Sequence, residues 1–407
     1  MRFNRRTFGL AVALATGTIT IPAFAQEKTY NVALFSDFSG PFANIMRPVH
    51  AGREAVFAWW NAEVGKDLGV QIGTRTYDTR YDAAQAASLW PGILSELNPL
   101  IIGSTGSTDI AALSQRLPED KVVMMAVGGA THAGWVDDSW VFFPRATYAH
   151  EYGGFLNWFY ETQGRSEPIR VGLVGSQQAL LTVDLHDGIQ AFISENPDKA
   201  AMVDVIWDAP QPTDLTAPMR RMVNAGAEVI FVNSNTATVV ATKRALQALG
   251  ANIPIVTSSH NSLPTAGQTL GGLDQVEGDF EVYGMAVATE DATGPAREFY
   301  DLLASEYGLE APWGVLTLQG IAQAILSVRS IEAAINAYGP DDLTGEKVRE
   351  VLITETAVGN MGVIPDFSFT ADATFPTEGA TVNIGTVRDG RYTTAASDVP
   401  LANVKRW

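Results

Sequence analysis

Short apolar runs alternate with longer stretches of helical periodicity along most of this 407-residue chain. The runs predict buried β-strands, and the longer stretches predict amphipathic helices of about 10 to 15 residues. Alternation of this kind predicts an α/β fold with parallel sheets. The predicted strands are 30–35, 70–77, 101–103, 122–127, 170–174, 202–207, 228–232, 253–256 and 382–387, and the predicted helices are 47–62, 83–97, 109–117, 151–162, 185–195, 215–225, 296–307 and 315–337.

The stretch from Ile101 to Thr108 changes abruptly from apolar residues to small hydroxyl residues. We expect Thr108 to cap the following helix, because a threonine side chain accepts a hydrogen bond from a free first-turn amide. Other predicted strands also end in small polar residues, at 36–40, 128–131, 175–178, 233–235 and 257–261. Ligands of open α/β sheets bind outside the carboxyl ends of the strands, so these loops predict a ligand site. A purely structural capping role stays open as the alternative.

Length and composition narrow the possible classes of protein. A chain of 407 residues is too long for one compact core and predicts two domains. The formal net charge is -18 and no cluster of lysine and arginine occurs, which excludes a typical nucleic-acid partner. The absence of cysteine excludes disulfides, thiolate metal sites and cysteine nucleophiles.

The first 25 residues have the pattern of an export signal. Arg2, Arg5 and Arg6 precede an apolar run over 8–21, and Ala23-Phe24-Ala25 has the form of a signal-peptidase site. The adjacent Arg5 and Arg6 resemble a twin-arginine signal, and the general secretion route stays open. No later stretch reaches the roughly 18 apolar residues of a spanning helix. We therefore expect a soluble protein outside the cytoplasm.

Several short motifs occur in the order found in type I periplasmic binding proteins. They are Ser39-Gly40-Pro41, Gly52, Tyr77-Asp78, Ile102-Gly103 with Ser107, Ala130-Thr131, Phe143-Pro144-Arg145, Val276-Glu277-Gly278 and Arg388-Asp389-Gly390. The chain thus resembles the branched-chain amino acid, amide and urea branch of that family, the relatives of Leu/Ile/Val-binding proteins.

The resemblance implies an architecture and a role. Two Rossmann-like lobes would be joined by three crossovers, near Arg145, Tyr283 and Gly359. Lobe 1 would hold 27–145 and 284–358, and lobe 2 would hold 146–283 and 359–407. The protein would be a periplasmic monomer that captures a small solute in the cleft and delivers it to the permease of an ABC importer in the inner membrane.

The resemblance also implies candidate ligand contacts. In the family, amides and hydroxyls at the positions of Ser107 and Ala130-Thr131 hold the ligand carboxylate. The full candidate set is Ser39, Ser107, Thr108, Gly129, Thr131, Gln178, Asn235, His260 and Tyr283. Relatives specific for branched-chain amino acids have an acid near His260 for the ligand ammonium, and this chain lacks it. The expected solute is a small carboxylate or an amino-acid-like compound, with a short amide or urea as the alternative.

An enzyme and a ligand-sensing module are the alternatives to a binding protein. No strand is followed by a Gly-x-Gly-x-x-Gly fingerprint, and no phosphate-loop lysine or Gly-x-Ser-x-Gly motif occurs. The five histidines form no metal-ligand spacing. We therefore predict no enzymatic activity, no cofactor and no metal. A ligand-sensing module of a receptor or regulator stays open, and neighbouring genes would discriminate it from a transport protein.

Overall fold

Two β-sheets, each flanked by helices, make up the fold. The computed structural model describes residues 27–128, 130–354, 360–376, 379–404 and 406–407. The predicted export signal, Gly129 and the predicted crossover at Gly359 lie outside these ranges.

The first sheet contains five parallel strands. They are β1 (Lys28–Ser36), β2 (Val70–Asp78), β3 (Ile101–Gly103), β4 (Val123–Met125) and β5 (Val141–Phe142), in the spatial order β2-β1-β3-β4-β5. The helices between them are α1 (Ala43–Trp60), α2 (Lys66–Leu68), α3 (Ala83–Leu97), α4 (Ser107–Leu113), α5 (Leu117–Asp120) and α6 (Thr131–Gly134), and a π-helical turn at Asn61–Gly65 joins α1 to α2.

The second sheet begins after the first crossover. Its first five strands are β6 (Ile169–Gly175), β7 (Ala200–Trp207), β8 (Val229–Asn233), β9 (Ile255–Ser258) and β10 (Phe280–Tyr283). Around them lie α7 (Tyr148–Thr162), α8 (Leu180–Glu195), α9 (Thr216–Asn224), α10 (Thr236–Leu249), α11 (Leu263–Leu270) and a 3₁₀ turn at Leu273–Val276. The chain then returns to the first lobe as α12 (Pro295–Glu306), α13 (Val315–Tyr338) and α14 (Gly345–Thr354).

A terminal hairpin completes the second sheet. It consists of β11 (Thr381–Arg388) and β12 (Arg391–Pro400), which add antiparallel strands beside β10. The spatial order is β12-β11-β10-β9-β8-β6-β7. The parallel part of this sheet therefore repeats the strand order of the first sheet. In each sheet the strand order reverses at one switch point, between β1 and β3 in the first sheet and between β6 and β8 in the second. Such switch points are where α/β sheets bind ligands.

The first lobe is built around the long helix α13. Its side chains are buried along almost the whole length, and it packs against α1. The two helices approach so closely that an added methyl at Gly320 would overlap the carbonyl of Val49, and one at Gly52 would lie 2.6 Å from the carbonyl oxygen of Thr317. Glycine at these positions lets the two backbones touch.

The boundary of the second lobe differs from the prediction. Residues 363–375 pack in the first core, where Val363 and Phe375 are fully buried, although the prediction assigned 359–407 to lobe 2. The Thr374 hydroxyl donates to the carbonyl of Val141 at the end of the first sheet. The stretch lacks strand or helix periodicity, so its partner could be decided only by contact. The return to the second sheet is complete at Thr381, where β11 begins.

The predicted α/β fold with two parallel-sheet lobes is confirmed. Helix α3 occupies its predicted range. Strands β1 and β2 extend one or two residues beyond their own predicted ranges. The predicted cap at Thr108 is wrong, because Gly106 precedes the helix and Thr108 lies within its first turn. Helix α8 begins five residues before its predicted start, so its amino-terminal turn reaches the cleft.

Candidate functional site

Loops from both lobes meet where the parallel strands end. Gln319 of the first lobe donates through Nε2 to the carbonyl oxygen of Ser259 in the second lobe, at 3.4 Å. In the other direction, Gln211 donates to the carbonyl oxygen of Pro41 at 2.9 Å. The two switch points therefore border one shared space.

A buried arginine holds the loops of the first lobe. Arg53 donates through Nη1 to the Phe35 carbonyl and through Nη2 to the Ser104 carbonyl, both at 2.8 Å. Burial lowers the pKa of Arg53 to about 9. Next to it, the Asp109 carboxylate accepts bonds from the amide and hydroxyl of Thr105, both at 2.6 Å. Burial raises the pKa of Asp109 to about 6. These bonds make the loops after β1 and β3 a rigid wall.

The shared space contains a small inner cavity of about 20 Å³, enough for one water molecule. Its walls are uncharged and partly aromatic, with Phe42 and Tyr81 at a centroid distance of 4.2 Å. The lining residues are Phe42, Met46, Tyr81 and Thr105 from the first lobe and Tyr148, Ala179, Leu181, Thr182, Asn233, Ser234 and His260 from the second.

His260 is a neutral side chain in this cavity. Burial lowers its pKa to about 3, and the positive charge of Arg145 contributes in the same direction. Burial raises the pKa of Tyr148, so its hydroxyl keeps its proton. The Tyr148 hydroxyl is hydrogen-bonded to Nδ1 of His260. The neutral ring has one N–H donor and one acceptor nitrogen and carries no charge.

Three asparagines form a donor cluster at the ends of β8 and β9. The carboxamide oxygen of Asn235 accepts the Thr238 amide at 3.2 Å, and that of Asn261 accepts the Ser258 amide at 2.9 Å. The oxygen of Asn233 accepts the Ser258 hydroxyl at 2.9 Å. The three buried NH₂ groups have no hydrogen-bond partner within the described ranges. Buried donors of this kind are rarely left unpaired, so they indicate a place for an acceptor group.

Thr131 contacts a carboxylate, but that carboxylate belongs to the protein. Its amide donates to Oδ2 of Asp184 at 2.9 Å, and its hydroxyl bonds to Oδ1. Asp184 lies on α8 of the second lobe. The corner formed by Ala130 and Thr131, which the family resemblance assigns to a ligand carboxylate, is therefore bonded to the opposite lobe.

Seven of the eight described contacts of the predicted set do not line the inner cavity, and three of these seven are exposed or buried in the first core. Ser39 is exposed and donates to Asp78 at 2.7 Å, and Gln178 is also exposed. Tyr283 is buried in the first core, where its hydroxyl accepts the Ala288 amide at 3.2 Å.

The remaining predicted contacts lie closer to the strand ends. The Ser107 hydroxyl accepts the Leu181 amide at 3.2 Å, next to the cavity wall. Asn235 caps α10, and the buried hydroxyl of Thr108 has no partner in the described part of the chain. Gly129 is not described. Among the described members of the predicted set, His260 alone lines the inner cavity directly.

Five residues of this region are absent from the predicted set: Phe42, Tyr81, Tyr148, Asp184 and Asn233. Asp184 had a recognisable signal, because it lies on the inner face of α8 among Leu181, Leu185 and Gly188. A carboxylate on an apolar helix face must find a partner when it is buried. The other four follow predicted loops or helix starts without any distinguishing spacing.

A larger groove of about 1120 Å³ lies between the lobes, outside the inner cavity. It is bordered by α1 and residues 310–317 of the first lobe and by α10 and α11 of the second. The volume suits a small molecule, since ligand pockets typically measure about 300 to 1,000 Å³. The groove borders the same strand ends through Thr236 and Ser262.

The described residues contain no group of three or more His, Asp or Glu side chains that could hold a metal ion. None of the helices in these ranges is long and apolar enough to cross a membrane.

Comparisons with known proteins agree with the two-lobed architecture. The sequence profile of a family described as periplasmic binding protein matches residues 29–389. Comparison with curated protein sequences gives no match.

Solved structures give similar folds at low identity. A branched chain amino acid ABC transporter protein from Thermus thermophilus with bound valine has a TM-score of 0.78 at 16% identity, covering 92% of this chain and 97% of that one. A fatty acid ABC transporter substrate-binding protein from Thermomonospora curvata has 0.75 at 19%, covering 92% and 95%. An R. palustris solute binding protein in complex with 4-hydroxybenzoate has 0.71 at 16%, covering 93% and 98%.

Proposed function

The chain belongs to the periplasmic binding protein family, and from this premise we propose that it is the extracytoplasmic binding protein of an ABC importer. It captures a small carboxylate or amino-acid-like solute between its lobes and delivers it to the permease. It acts as a monomer and does not transform the solute. Family membership supports a solute-binding role, and the chemistry of the strand ends supports the class of solute.

The donor cluster of the second lobe is the observation that carries the proposal. The NH₂ groups of Asn233, Asn235 and Asn261 are donors at neighbouring strand ends, and neutral His260 lines the same cavity as Asn233. A carboxylate or carbonyl satisfies such donors, because its oxygens only accept. A bond to a charged acceptor contributes about 1.5 to 3 kcal/mol, which suffices for selective binding.

The inner cavity disfavours an ammonium group. None of its lining residues carries a carboxylate. An α-ammonium moved into this space would lose water without gaining a counter-ion, which is costly in a buried site. The groove outside contains acids, Glu290 and Glu310 among them, together with Arg47 and Arg244. An amino-acid-like solute would therefore direct its ammonium outward and its carboxylate inward.

The ligands in the names of similar structures fit this class. Valine and 4-hydroxybenzoate are bound in two of these proteins, and a fatty acid is named for a third. All three compounds carry a carboxylate. The rest of the molecule differs among the three, which supports the carboxylate as the shared feature. The residues that line the cleft of this chain would then select the rest of the solute.

A thermal-shift screen of matched acids and amides tests the proposal. Benzoate with benzamide, and isovalerate with valine and isovaleramide, separate the carboxylate from the body of the molecule. A solute at 100 times its dissociation constant adds about 2.7 kcal/mol to the stability of the folded state. We expect acids to stabilise the protein and their amides to do so less, with no product formed. Steady turnover of a stabilising acid would overturn the proposal.

Two asparagine variants then locate the solute. Asn233→Ala should weaken binding of the best acid about tenfold or more, because one bond to a charged acceptor is lost. Asn224→Ala is the matched control, since Asn224 is exposed at the end of α9. Equal affinities for the two variants would place the solute elsewhere.

A further inference from the structure

One helix of the second lobe contacts both first-lobe positions that the family resemblance assigns to the ligand carboxylate. The amide of Leu181, in the first turn of α8, donates to the Ser107 hydroxyl at 3.2 Å. One turn further along the same helix, the Asp184 carboxylate bonds to Thr131. Helix α8 of the second lobe therefore covers both of these positions of the first lobe.

The Asp184 carboxylate is bound as a ligand carboxylate would be. Oδ2 accepts the Thr131 amide at 2.9 Å, and Oδ1 bonds to the Thr131 hydroxyl and accepts the His132 amide at 3.3 Å. The Asp184 side chain is 3% exposed, so water does not compete for these donors. Three donors on the first lobe are thus engaged by one side chain of the second.

Leu181 closes the space beside this contact. A methyl added at Gly128 would lie 2.7 Å from its Cδ1 atom, and one at Gly106 would lie 3.6 Å from it. The leucine side chain therefore rests directly on the loops after β3 and β4. A solute could reach Thr131 only after α8 moves away from the first lobe.

We propose that Asp184 determines the specificity of the cleft by serving as its built-in carboxylate. The Thr131 corner binds one carboxylate at a time, and in the closed protein that carboxylate is Asp184. A solute carboxylate aimed at the corner meets a like charge in a buried space and must separate the lobes to enter. A solute bound to the closed protein places its acceptor group on the donor cluster of the second lobe instead. The statement about the solute rests on the proposed function, whereas the contact between the lobes does not.

The contact also stabilises the closed arrangement without any solute. Hydrogen bonds to a charged group are stronger than neutral ones, and these cross from one lobe to the other. Their loss should change the ratio of closed to open protein about ten- to a hundredfold. The solute-free protein is therefore expected to be mainly closed.

The first experiment measures the distance between the lobes. The chain has no cysteine, so the pair Ser95→Cys and Asn224→Cys carries two nitroxide labels at exposed positions on α3 and α9. Without solute, electron–electron double resonance should show one dominant distance between the two labels in the otherwise wild-type chain. Asp184→Asn and Asp184→Ala should shift the population to a second distance. Asp187→Asn is the matched control, because Asp187 is exposed on the same helix and bonds to His186.

The second experiment uses acetate as the probe of the corner and acetamide as its neutral counterpart. Acetate should raise the unfolding midpoint of Asp184→Ala by a few degrees, and acetamide should not. In the wild type and Asp187→Asn the difference between the probes should be clearly smaller than in Asp184→Ala, because Asp184 already fills the corner. Asp184→Asn keeps the size of the side chain and serves in the distance measurement if the alanine variant folds poorly.

The outcomes are separable from those of the solute screen. Unchanged distances in both Asp184 variants would overturn the proposal, as would equal responses of all four chains to acetate. Neither experiment uses the natural solute. A failed screen would leave the contact between the lobes standing, and a failed distance test would leave the binding role standing.

Discussion

Arg145 and Glu151 form a fully buried ion pair at the first crossover between the lobes. Arg145 Nη1 lies 2.7 and 2.6 Å from the two oxygens of Glu151, and neither side chain is exposed. Burial acts to lower the pKa of Arg145, but the Glu151 carboxylate outweighs it and the net shift is upward. Burial raises the pKa of Glu151 to about 7 against the opposing effect of Arg145, so the pair is fully charged only above that pH. The pair joins the crossover to α7.

Removing one partner of this pair should be costly. Glu151→Gln leaves the arginine charge buried without a counter-ion, and we expect a loss of about 3 to 5 kcal/mol in the free energy of unfolding. Glu96→Gln breaks the Arg75–Glu96 pair, whose side chains are 54% and 61% exposed, and should cost no more than about 1 kcal/mol. Urea unfolding of both variants measures the difference. Equal losses would show that burial of the pair is unimportant.

Glu281 is a second buried carboxyl, and it should make stability depend on pH. It accepts the Leu263 amide at 2.9 Å and the Tyr392 hydroxyl at 2.5 Å. Burial raises its pKa from 4.5 to about 7. Between these pH values the folded chain keeps a proton that the unfolded chain releases. The stabilisation is therefore complete below pH 4.5 and is lost as the pH rises through 7.

Glu281→Gln should remove this pH dependence. Between pH 4.5 and 8 the wild type should lose about 3 kcal/mol relative to the variant, at about 1.4 kcal/mol per pKa unit. Tyr392→Phe removes a donor that lowers the pKa of Glu281, so its loss should extend to higher pH. Urea midpoints at several pH values give the three profiles. Parallel profiles for wild type and Glu281→Gln would contradict the assignment.

At the scale of elements, the close contact between α1 and α13 depends on two glycines, Gly52 and Gly320. Gly320→Ala would press a methyl against the Val49 carbonyl, which is backbone and cannot rotate away. We expect destabilisation of about 1 to 3 kcal/mol or more. Gly92→Ala on α3 is the matched control, because nothing lies within 4 Å of the added methyl. There alanine should stabilise the helix by about 0.5 to 1 kcal/mol. Thermal unfolding showing the same sign for both would contradict this account.

At the scale of the whole molecule, neither lobe is a continuous segment. The first core needs α13 and Phe375 as well as the first five strands. The chain leaves this lobe at Arg145 and returns at Gly284, where a Cβ would lie 3.4 Å from that of Arg145. A short linker can therefore replace the second lobe between these two residues.

A shortened chain tests whether the first lobe is an independent unit. We expect residues 27–145 joined by a short Gly-Ser linker to 284–376 to unfold cooperatively on heating. Residues 27–145 alone should not, because the face of the first sheet that α13 covers would be exposed. Circular dichroism and calorimetry distinguish the two. A cooperative transition of 27–145 alone would show that α13 is not required.

Local patterns predicted much of the fold and less of the site. Asp82 accepts the Gln85 amide at 2.8 Å and so sets the start of α3, and the left-handed Asn98 follows its end, so this helix matched its predicted range. The start of α8 was missed because Ala179 provides no capping side chain. The short strand β10 was missed as well. Its apolar run is brief, and it becomes a strand by pairing with β9 and β11.

The sequence by itself determined the two α/β lobes and the polar strand ends. Periodicity and turn residues act within a few positions, so they can be read directly along the chain. Only the tertiary structure decided that Thr131 binds Asp184, 53 positions away, and that residues 363–375 belong to the first lobe. It also decided that His260 is neutral. The physical reason is that burial and partner choice depend on strand order and on the contact between the lobes, which no local pattern contains.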